Sequence, residues 1–433
     1  MSIRALSFGL NSHPSLRPHT FWKKRTWSSI TPTQTGITIH SLNNTTFPYI
    51  WLRDSCQSPS SVHPSTKQKL HKTSDISKDI RPVSLDQRGI RVNESGELEI
   101  NWIDGHKSIY SRSFLEVHSD EEKLHRFHHD LTRNTWDNKS IQQSDLFIPY
   151  GSIRTPSGLL QAIDQLVRYG ILFVTGVPNQ DTGDEMCELR KLGESFGELR
   201  STFYGMVWDV VNRKESKNIA YTNLDLGLHM DLLYFQHPPR YQILHCLRNR
   251  VEGGTSVFVD GIAAAETLRQ THSESFDTLT HSPVAFHYIN DGHHLHYEHP
   301  TIELTSALSS SGSSSSKSSE RKISHINYSP PFQAPLPLQT PSAFYSAFKE
   351  FSEILNDTKR TYTHTLKEGD AVLFDNRRVL HARTAFYDRE NHDGTSELKE
   401  GEPNRWLKGC YLEEDAIMDR RRVLKKQQEL VDV

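Results

Sequence analysis

The sequence of 433 residues has few cysteines and no long apolar segment. Its four cysteines lie far apart along the chain, which excludes a disulfide-stapled secreted scaffold and indicates a reducing compartment. No run of 18 apolar residues occurs, so a transmembrane helix and a membrane partner are not expected. The formal net charge is only -3, and no excess of either sign favours nucleic acid as a partner.

Acidic residues are absent from Met1 to Arg53, whereas basic residues such as Arg4, Arg17 and Lys23 stand among many Ser and Thr. This acid-poor and hydroxyl-rich composition is typical of a mitochondrial presequence and predicts delivery to the matrix. The alternative is a disordered basic tail on a cytoplasmic protein. In either case residues 1–34 are excluded from the predicted fold.

Two folded regions are expected after this tail. Short β-type runs such as "GITIH", "GIRVN" and "KSIYS" predict a small β-rich domain at residues 35–119. A polar connector follows at residues 120–145. Residues 146–424 form the predicted main domain, and residues 425–433 a C-terminal tail. The low-complexity run "SALSSSGSSSSKSS" at residues 306–319 is interpreted as a disordered surface insertion.

The main domain has the pattern of a mainly β fold with flanking helices. "TPSGLLQAIDQLVRYG" predicts a helix that stops at Gly170, and "ILFVTGV" predicts a buried strand after it. Further β runs alternate with only two helical stretches, "GIAAAETLRQTH" and "PSAFYSAFKEFSEILND". Many short strands with few helices favour a β-sandwich or jelly roll.

The stretch "NLDLGLHMDLLYF" is a candidate metal-binding motif. If it forms a strand, His229 and Asp231 project to the same face and present one nitrogen and one oxygen to the same point. A third ligand is available in "GDAVLFDNRRVLHAR", where His381 follows a predicted strand and turn. Two imidazoles and one carboxylate leave three open positions on an octahedral ion, as expected of a non-haem Fe(II) oxygenase. Zinc hydrolases use the same ligand types, so the ligands alone do not decide the metal.

Five ordered blocks extend this motif to a family resemblance. They are "FYGMVWDV", "NIAYTNLDLGLHMDLLYF", "QILHCLRNRVEGGTSVFVDG", "LKEGDAVLFDNRRVLHAR" and "RWLKGCYLEED". Together they resemble the gamma-butyrobetaine and trimethyllysine dioxygenases, within the taurine-dioxygenase-like group of 2-oxoglutarate and Fe(II) enzymes. The resemblance runs over residues 36–424, apart from the Ser-rich insertion.

The resemblance implies a double-stranded β-helix in which His229, Asp231 and His381 hold Fe(II). It also implies that 2-oxoglutarate is the cosubstrate and that Arg405 binds its distal carboxylate, which suits the bidentate geometry of a guanidinium. Leu244 and Ser256 match positions that line the cosubstrate pocket. Ascorbate is expected to keep the iron reduced, and a homodimer is expected because family members are commonly dimers.

An aromatic set indicates the substrate class. Aromatic faces attract a quaternary ammonium group, which has no hydrogen to donate. By the resemblance, Tyr204, Trp208, Tyr221 and Tyr411 match the trimethylammonium cage of the family.

The opposite end of the substrate is less well defined. Asn218 matches the position that binds the substrate carboxylate in the butyrobetaine branch, but a second asparagine of that branch is replaced here by Ser329. The predicted reaction is the hydroxylation of gamma-butyrobetaine to L-carnitine, the last step of carnitine biosynthesis. The alternatives are trimethyllysine hydroxylation, the first step of that synthesis, or a trimethylammonium-binding protein without turnover.

A second metal site is incomplete. "YIWLRDSCQSPSSVHP" resembles the zinc-binding domain of the family, in which a C-x-C-x-x-C motif and a later histidine hold the ion. Here Cys56 remains, Ser58 and Ser61 occupy the other two thiolate positions, and His118 is taken as the matching histidine. Since serine hydroxyls are poor substitutes for thiolates, no tightly held zinc is predicted.

Overall fold

The computed structural model describes residues 29–120, 123–124, 127, 130, 132–212, 222–305, 321–388 and 403–431. The chain divides into two compact units, Met1–Asp130 and Leu131–Val433. None of the described helices is both long and apolar enough to span a membrane. The predicted Ser-rich insertion and residues 1–28 of the predicted presequence lie outside the described residues.

The first unit contains two antiparallel sheets of three strands each, in the orders β1-β2-β3 and β4-β5-β6. The strands are β1 (Ile30–Pro32), β2 (Gly36–Ile39), β3 (Thr45–Pro48), β4 (Ile90–Val92), β5 (Leu98–Asn101) and β6 (Lys107–Tyr110). Two helices, α1 (Tyr49–Asp54) and α2 (Arg112–His118), and a 3-10 turn (Thr73–Asp75) accompany them. Ile37, Ile39, Leu98, Ile100 and Trp102 are buried in a common core.

The first domain begins earlier than predicted. β1 falls inside the segment assigned to the tail, yet it pairs with β2 through Ile30↔Ile39 and Pro32↔Ile37. The tail assignment rested on composition, which carries no information on strand pairing.

The second unit is built on two sheets, of which the larger is mixed and the smaller is antiparallel. The larger has the order β10-β23-β12-β20-β8-β7, with β9 also paired to β23, and the smaller has the order β11-β21-β14-β19. Their strands are β7 (Phe147–Pro149), β8 (Ile171–Thr175), β9 (Leu199–Arg200), β10 (Trp208–Val211), β11 (Leu226–His229), β12 (Tyr241–Asn249), β14 (Ser256–Asp260), β19 (Tyr362–His364), β20 (Ala371–Asp375), β21 (Val379–Arg383) and β23 (Arg405–Leu412). Three two-stranded ribbons pair β13 (Val251–Gly253) with β22 (Phe386–Asp388), β15 (Pro283–Asn290) with β16 (His293–Pro300), and β17 (Ile302–Leu304) with β18 (Ile323–Ile326).

Helices flank these sheets, as the sequence pattern predicted. They are α3 (Asn138–Ile141), α4 (Tyr150–Ile153), α5 (Pro156–Tyr169), α6 (Glu188–Phe196), α7 (Gly261–Thr271), α8 (Ser273–His281), α9 (Ser342–Leu355) and α10 (Glu414–Val431). At the start of α5 the Thr155 hydroxyl accepts from the Gly158 N–H, and at its end Gly170 adopts φ 75°. Glycine tolerates this left-handed conformation without steric cost, which explains why the helix stops there.

The core between the two sheets is aromatic and leads to the site. Phe258 of the smaller sheet lies 5.7 Å from Phe173 and 5.8 Å from Phe374 of the larger, measured between ring centroids. Phe374 in turn lies 4.7 Å from the imidazole of His381. This face-to-face packing of two sheets is the predicted double-stranded β-helix, or jelly roll.

Two predicted boundaries of the main domain are wrong. Trp136, placed in the connector by the sequence, is only 3% exposed and its N–H donates to Asp260, so the unit includes residues before 146. At the other end α10 continues to Val431, where a tail from residue 425 was predicted. Composition alone indicated a polar connector and tail, because most side chains of both segments are polar.

Candidate metal centre

Two histidines face each other across antiparallel strands. His229 of β11 is paired in register with His381 of β21, and their ring centroids are 4.1 Å apart. Asp231 Oδ1 lies 3.4 Å from His229 Nε2 and 4.0 Å from His381 Nε2. Among the described residues these three form the only group of three or more His, Cys, Asp or Glu whose donor atoms all lie within 4.8 Å of one another. The structure thus brings together the three side chains predicted as metal ligands.

The carboxylate is presented differently from the prediction. β11 ends at His229, so Asp231 lies in the turn that follows and not in a strand. The next residue, Leu232, has φ 60°, which is uncommon for a residue with a side chain. Asp231 therefore reaches the histidines through a tight turn.

A buried asparagine holds this turn. Asn376 is fully buried; its Oδ1 accepts from the Asp231 N–H at 2.8 Å, and its Nδ2 donates to the Asp231 carbonyl at 2.9 Å. The same Nδ2 lies 3.2 Å from the Pro239 carbonyl. Sequence reasoning missed Asn376, although its place between the predicted strand and His381 was a usable signal.

The side chains of the ligands are also oriented. His229 Nδ1 lies 2.9 Å from the Gly227 carbonyl, to which it donates, so that Nε2 keeps its lone pair on the side of Asp231. The Tyr411 hydroxyl donates to Asp231 Oδ2 at 2.9 Å. Such outer partners fix ligand geometry and support metal affinity.

The protonation states suit metal binding. Burial raises the pKa of Asp231, but the adjoining imidazoles of His229 and His381 and the hydrogen bond from the Tyr411 hydroxyl outweigh burial, and the pKa is lowered. Burial, reinforced by the nearby His229, lowers the pKa of His381 to about 3. An ionised carboxylate and a neutral imidazole are the forms that ligate metals. Burial and the neighbouring Asp231 raise the pKa of Tyr411 well above its ordinary value, so its hydroxyl remains a donor.

Arg405 is a buried cation on the inner face of β23. It is 6% exposed, and its Nε has no hydrogen-bond partner among the described residues. Burial and the charge of Arg383 lower its pKa to about 10, so the guanidinium stays charged at neutral pH. The guanidinium carbons of Arg405 and Arg383 lie 5.2 Å and 5.0 Å from the ring centroid of Phe386. A buried cation of this kind is suited to a carboxylate ligand.

The two other predicted cosubstrate residues face the same interior. Leu244 of β12 is opposite Gly409 and Val372 in register. Ser256 of β14 is paired with Arg383, two residues before Phe258 and therefore on the face of that strand that packs into the intersheet core.

Three of the four predicted cage residues lie close together. The ring of Trp208 is 5.2 Å from that of Tyr411 and 6.4 Å from that of Tyr204. Because the Tyr411 hydroxyl also bonds to Asp231, this cluster of three aromatic rings adjoins the metal centre. The fourth cage residue, Tyr221, and the predicted carboxylate ligand Asn218 lie outside the described residues.

Further aromatic residues enlarge this wall. Tyr234 is 2% exposed, its hydroxyl is 3.5 Å from that of Tyr204, and its ring stacks on Tyr288 at 5.3 Å. Phe203 lies 5.4 Å from Tyr288. Sequence reasoning did not select these residues, although Tyr234 lies within the "HMDLLYF" motif.

Ser329, predicted to contact substrate, is buried beside the ligand turn. It is 1% exposed, and its Oγ has no hydrogen-bond partner among the described residues. The carbonyl of the preceding Tyr328 accepts from the N–H of Met230, which lies between His229 and Asp231.

The predicted zinc-site remnant needs a correction. The imidazole beside Cys56 belongs to His106, whose Nε2 lies 3.2 Å from the Cys56 Sγ. His118, which the sequence had suggested, lies at the end of α2, where its Nδ1 bonds to the Phe114 carbonyl at 2.7 Å and its ring packs on Trp51. The error arose because either histidine follows Cys56 at a distance that a loop can span, and sequence order did not distinguish them.

Comparison with known proteins identifies the family. The family described as "Taurine catabolism dioxygenase TauD, TfdA family" matches residues 141–411, and "Gamma-butyrobetaine hydroxylase-like, N-terminal" matches residues 33–116. "Dioxygenase str8" of Strobilurus tenacellus is 50% identical over 93% of this chain and 90% of its own length.

Two named activities occur among more distant relatives. "Gamma-butyrobetaine dioxygenase" of Pseudomonas sp. (strain AK-1) is 29% identical over 88% of this chain and 91% of its own length. "Trimethyllysine dioxygenase, mitochondrial" of Homo sapiens is 29% identical over 88% of this chain and 83% of its own length. With a compact donor set that fits iron and a buried cation that fits an oxoacid, the chain belongs to the TauD, TfdA family of Fe(II)- and 2-oxoglutarate-dependent dioxygenases.

Proposed function

We propose that this dioxygenase hydroxylates gamma-butyrobetaine at C3 to give L-carnitine, with succinate and CO2 as the other products. The observation that carries the proposal is the aromatic pair Trp208 and Tyr411, 5.2 Å apart, whose Tyr411 hydroxyl is bonded to the metal-ligand candidate Asp231. A quaternary ammonium held on these rings would lie next to the iron.

His229, Asp231 and His381 are proposed to hold Fe(II). With 2-oxoglutarate and O2, this ion supplies an oxidant strong enough to remove hydrogen from an unactivated C–H bond. The chain keeps Asp231 ionised and His381 neutral, so neither of these two ligands needs to lose a proton when the metal binds.

Arg405 is proposed to bind the distal carboxylate of 2-oxoglutarate. Its buried Nε lacks a partner among the described residues, and a carboxylate would satisfy it while neutralising a charge that burial disfavours. Leu244 would line the apolar side of 2-oxoglutarate, and Ser256 would line its polar side.

The substrate is proposed to lie between the aromatic wall and Ser329. The rings of Tyr204, Trp208 and Tyr411 would hold the trimethylammonium group, while Tyr234 and Tyr288 would exclude water from that end. At the other end, the buried Ser329 hydroxyl could donate to the substrate carboxylate, together with Asn218. Fixing both ends presents a chosen carbon to the oxidant, and this is the main contribution of the protein to the reaction.

Trimethyllysine is the second candidate, because Ser329 replaces an asparagine expected of the butyrobetaine branch. The relatives named for the two activities are equally similar to this chain, at 29% identity each. Both substrates carry the same cationic group, so the aromatic cage alone does not choose between them.

The decisive experiment is a turnover assay of the purified protein with Fe(II), 2-oxoglutarate and ascorbate. Each trimethylammonium compound is supplied in turn, while succinate is quantified and the organic product is identified by mass spectrometry. We expect succinate to form in step with hydroxylated butyrobetaine. Product from trimethyllysine alone would move the proposal to the second candidate, and specific binding without succinate would indicate a protein that binds but does not turn over.

A pair of tryptophan variants tests the cage directly. Trp208→Leu should raise the KM for butyrobetaine about 10-fold or more, since a desolvated cation–π contact contributes on the order of 2 kcal/mol. Trp406→Leu is the control, because Trp406 alternates with the inward residues of β23 and bonds instead to Asp209. Equal KM values in the two variants would contradict the assignment of the cage.

A further inference from the structure

The first unit contains a hydrogen-bonded cluster at the place where the family resemblance implies zinc. We call it the Cys56 centre, formed by Cys56, Ser58, Ser61 and His106. The Cys56 Sγ lies 3.1 Å from the Ser58 Oγ and 3.2 Å from His106 Nε2, and the Ser61 Oγ lies 3.1 Å from the same nitrogen. One thiol, two hydroxyls and one imidazole therefore converge on a small volume.

This cluster is enclosed and supported by the domain core. Cys56 and Ser61 are each 1% exposed. The backbone N–H of Ser58 donates to the sulfur at 3.4 Å. Behind the sulfur, the Ser108 hydroxyl accepts from the indole N–H of Trp102 at 2.8 Å, so its own hydrogen is available to the sulfur.

The electrostatics agree with a sulfur that accepts hydrogen bonds. Burial raises the pKa of Cys56, but hydrogen bonds from Ser108, Ser58 and Ser61 outweigh burial, and the pKa of the thiol is lowered. Burial and the nearby charge of Arg53 lower the pKa of His106, which favours the neutral imidazole.

The donor chemistry does not fit a structural zinc ion. Such sites use four ligands drawn from thiolate, imidazole and carboxylate, whereas this centre offers one thiol and one imidazole. Neutral serine hydroxyls bind zinc weakly and would have to displace the hydrogen bonds that they already make. In the part of the chain that the structure describes, His229, Asp231 and His381 are the only three His, Cys, Asp or Glu residues with donor atoms close enough together to hold a metal ion.

We propose that the Cys56 centre is a metal-free replacement for the zinc site of this domain, in which Ser58, Ser61 and His106 hold Cys56 by hydrogen bonds. Ser58 and Ser61 stand at two former thiolate positions, and His106 is the fourth ligand position. It follows that Ser58→Cys combined with Ser61→Cys restores a zinc site with three thiolates and one imidazole.

The test uses full-length protein in a His229→Ala background, which disables the other metal site. Wild-type residues at 58 and 61 are compared with the Ser58→Cys/Ser61→Cys variant by zinc content after dialysis against a chelator and by Co(II) titration. Thiolate ligation of Co(II) produces a near-ultraviolet charge-transfer band that imidazole and carboxylate ligands do not. We expect about one equivalent of zinc and a clear band for the double variant, and neither for the unmodified centre.

The matched control is Ser65→Cys/Ser74→Cys, which adds two thiols at exposed positions of the same unit. It should bind no more zinc than the unmodified centre. A folded Ser58→Cys/Ser61→Cys protein without the cobalt band would overturn the proposal. So would a cobalt–thiolate band in the protein that retains both serines, and this second measurement stands even if the double variant does not fold.

Discussion

At the scale of single residues, the site depends on neighbours of the ligands as much as on the ligands themselves. Asp231 lies outside any strand, and no sheet register fixes its position. Its position is fixed instead by two hydrogen bonds from the side-chain amide of Asn376, a residue 145 positions later in the sequence. Tyr411 adds a third constraint by donating to the carboxylate. The affinity for iron should therefore respond to residues that never touch the ion.

Asn376→Ala tests this dependence. The change removes both hydrogen bonds that Asn376 makes to the Asp231 backbone, so the half-buried N–H and carbonyl of Asp231 lose these partners. We expect Fe(II) affinity to fall about 10- to 100-fold, as for other outer partners of metal ligands. The unfolding free energy should also fall by about 1–3 kcal/mol.

The measurement is an anaerobic Fe(II) titration combined with chemical denaturation. Asn356→Ala is the control, since Asn356 is exposed and its amide bonds to a carbonyl within its own helix. If Asn376→Ala bound iron as tightly as the control variant, Asp231 would have to be positioned by other groups.

Tyr411 has two separable roles, because its ring belongs to the cage and its hydroxyl bonds to Asp231. Tyr411→Phe keeps the ring and removes the hydroxyl. A hydrogen bond to a charged group contributes about 1.5–3 kcal/mol, so we expect iron retention and kcat to fall while KM for the cationic substrate changes little. Trp208→Leu should show the opposite pattern. Steady-state kinetics of both variants, with iron content measured in parallel, would reveal whether the two roles are separate.

At the scale of elements, the helices and ligand strands could be predicted from local signals. α5 has a Thr155 cap and a Gly170 stop, and both are visible in the sequence because each acts within one turn. His229 and His381 could be found for a similar reason, as each stands in a short recognisable block.

Contacts that depend on distant loops could not be predicted. Asn376 meets Asp231, and His106 meets Cys56, only after the chain has folded back on itself. The same limitation explains the boundary errors at Trp136 and at the end of α10, where packing outweighs a polar composition.

β23 shows how one small residue can control the site from within a strand. A Cβ at Gly409 would overlap the indole of Trp208, which lies across this strand. Gly409→Ala should therefore displace Trp208, raise KM for the cationic substrate and reduce stability by about 1–3 kcal/mol through overpacking. Gly151→Ala is the control, since a Cβ there meets no atom within 4 Å. Unchanged kinetics in Gly409→Ala would show that Trp208 can move without loss of binding.

At the scale of the molecule, the second unit is joined by a buried ion pair as well as by its aromatic core. Arg378 and Asp260 are each 1% exposed, with Arg378 Nη2 2.7 Å from Asp260 Oδ2. The guanidinium of Arg378 also donates to the carbonyl of Arg168, at the end of α5, and to that of Asn134, in the segment before α3.

The carboxylate of Asp260 accepts from the N–H groups of Trp136 and of Ile262 in α7. One pair of charges thus joins β14, the strand-to-strand turn before β21, two helix ends and the segment that the sequence had assigned to a connector.

Asp260→Ala should be among the most destabilising changes in this unit. It leaves a buried guanidinium without its counter-charge, which costs about 3–5 kcal/mol, and it also removes the cap of α7. Lys349→Ala is the control, because the Lys349–Glu353 pair is 77% and 66% exposed and such surface pairs contribute about 0–1 kcal/mol. Chemical denaturation followed by tryptophan fluorescence would measure the unfolding free energy of both variants. At denaturant concentrations well below the unfolding transition, the folded fraction of each variant should still bind iron and the cosubstrate. If Asp260→Ala lowered the unfolding free energy no more than Lys349→Ala does, the buried ion pair would contribute little to stability. The segment around Trp136 and α7 would then be held by apolar packing.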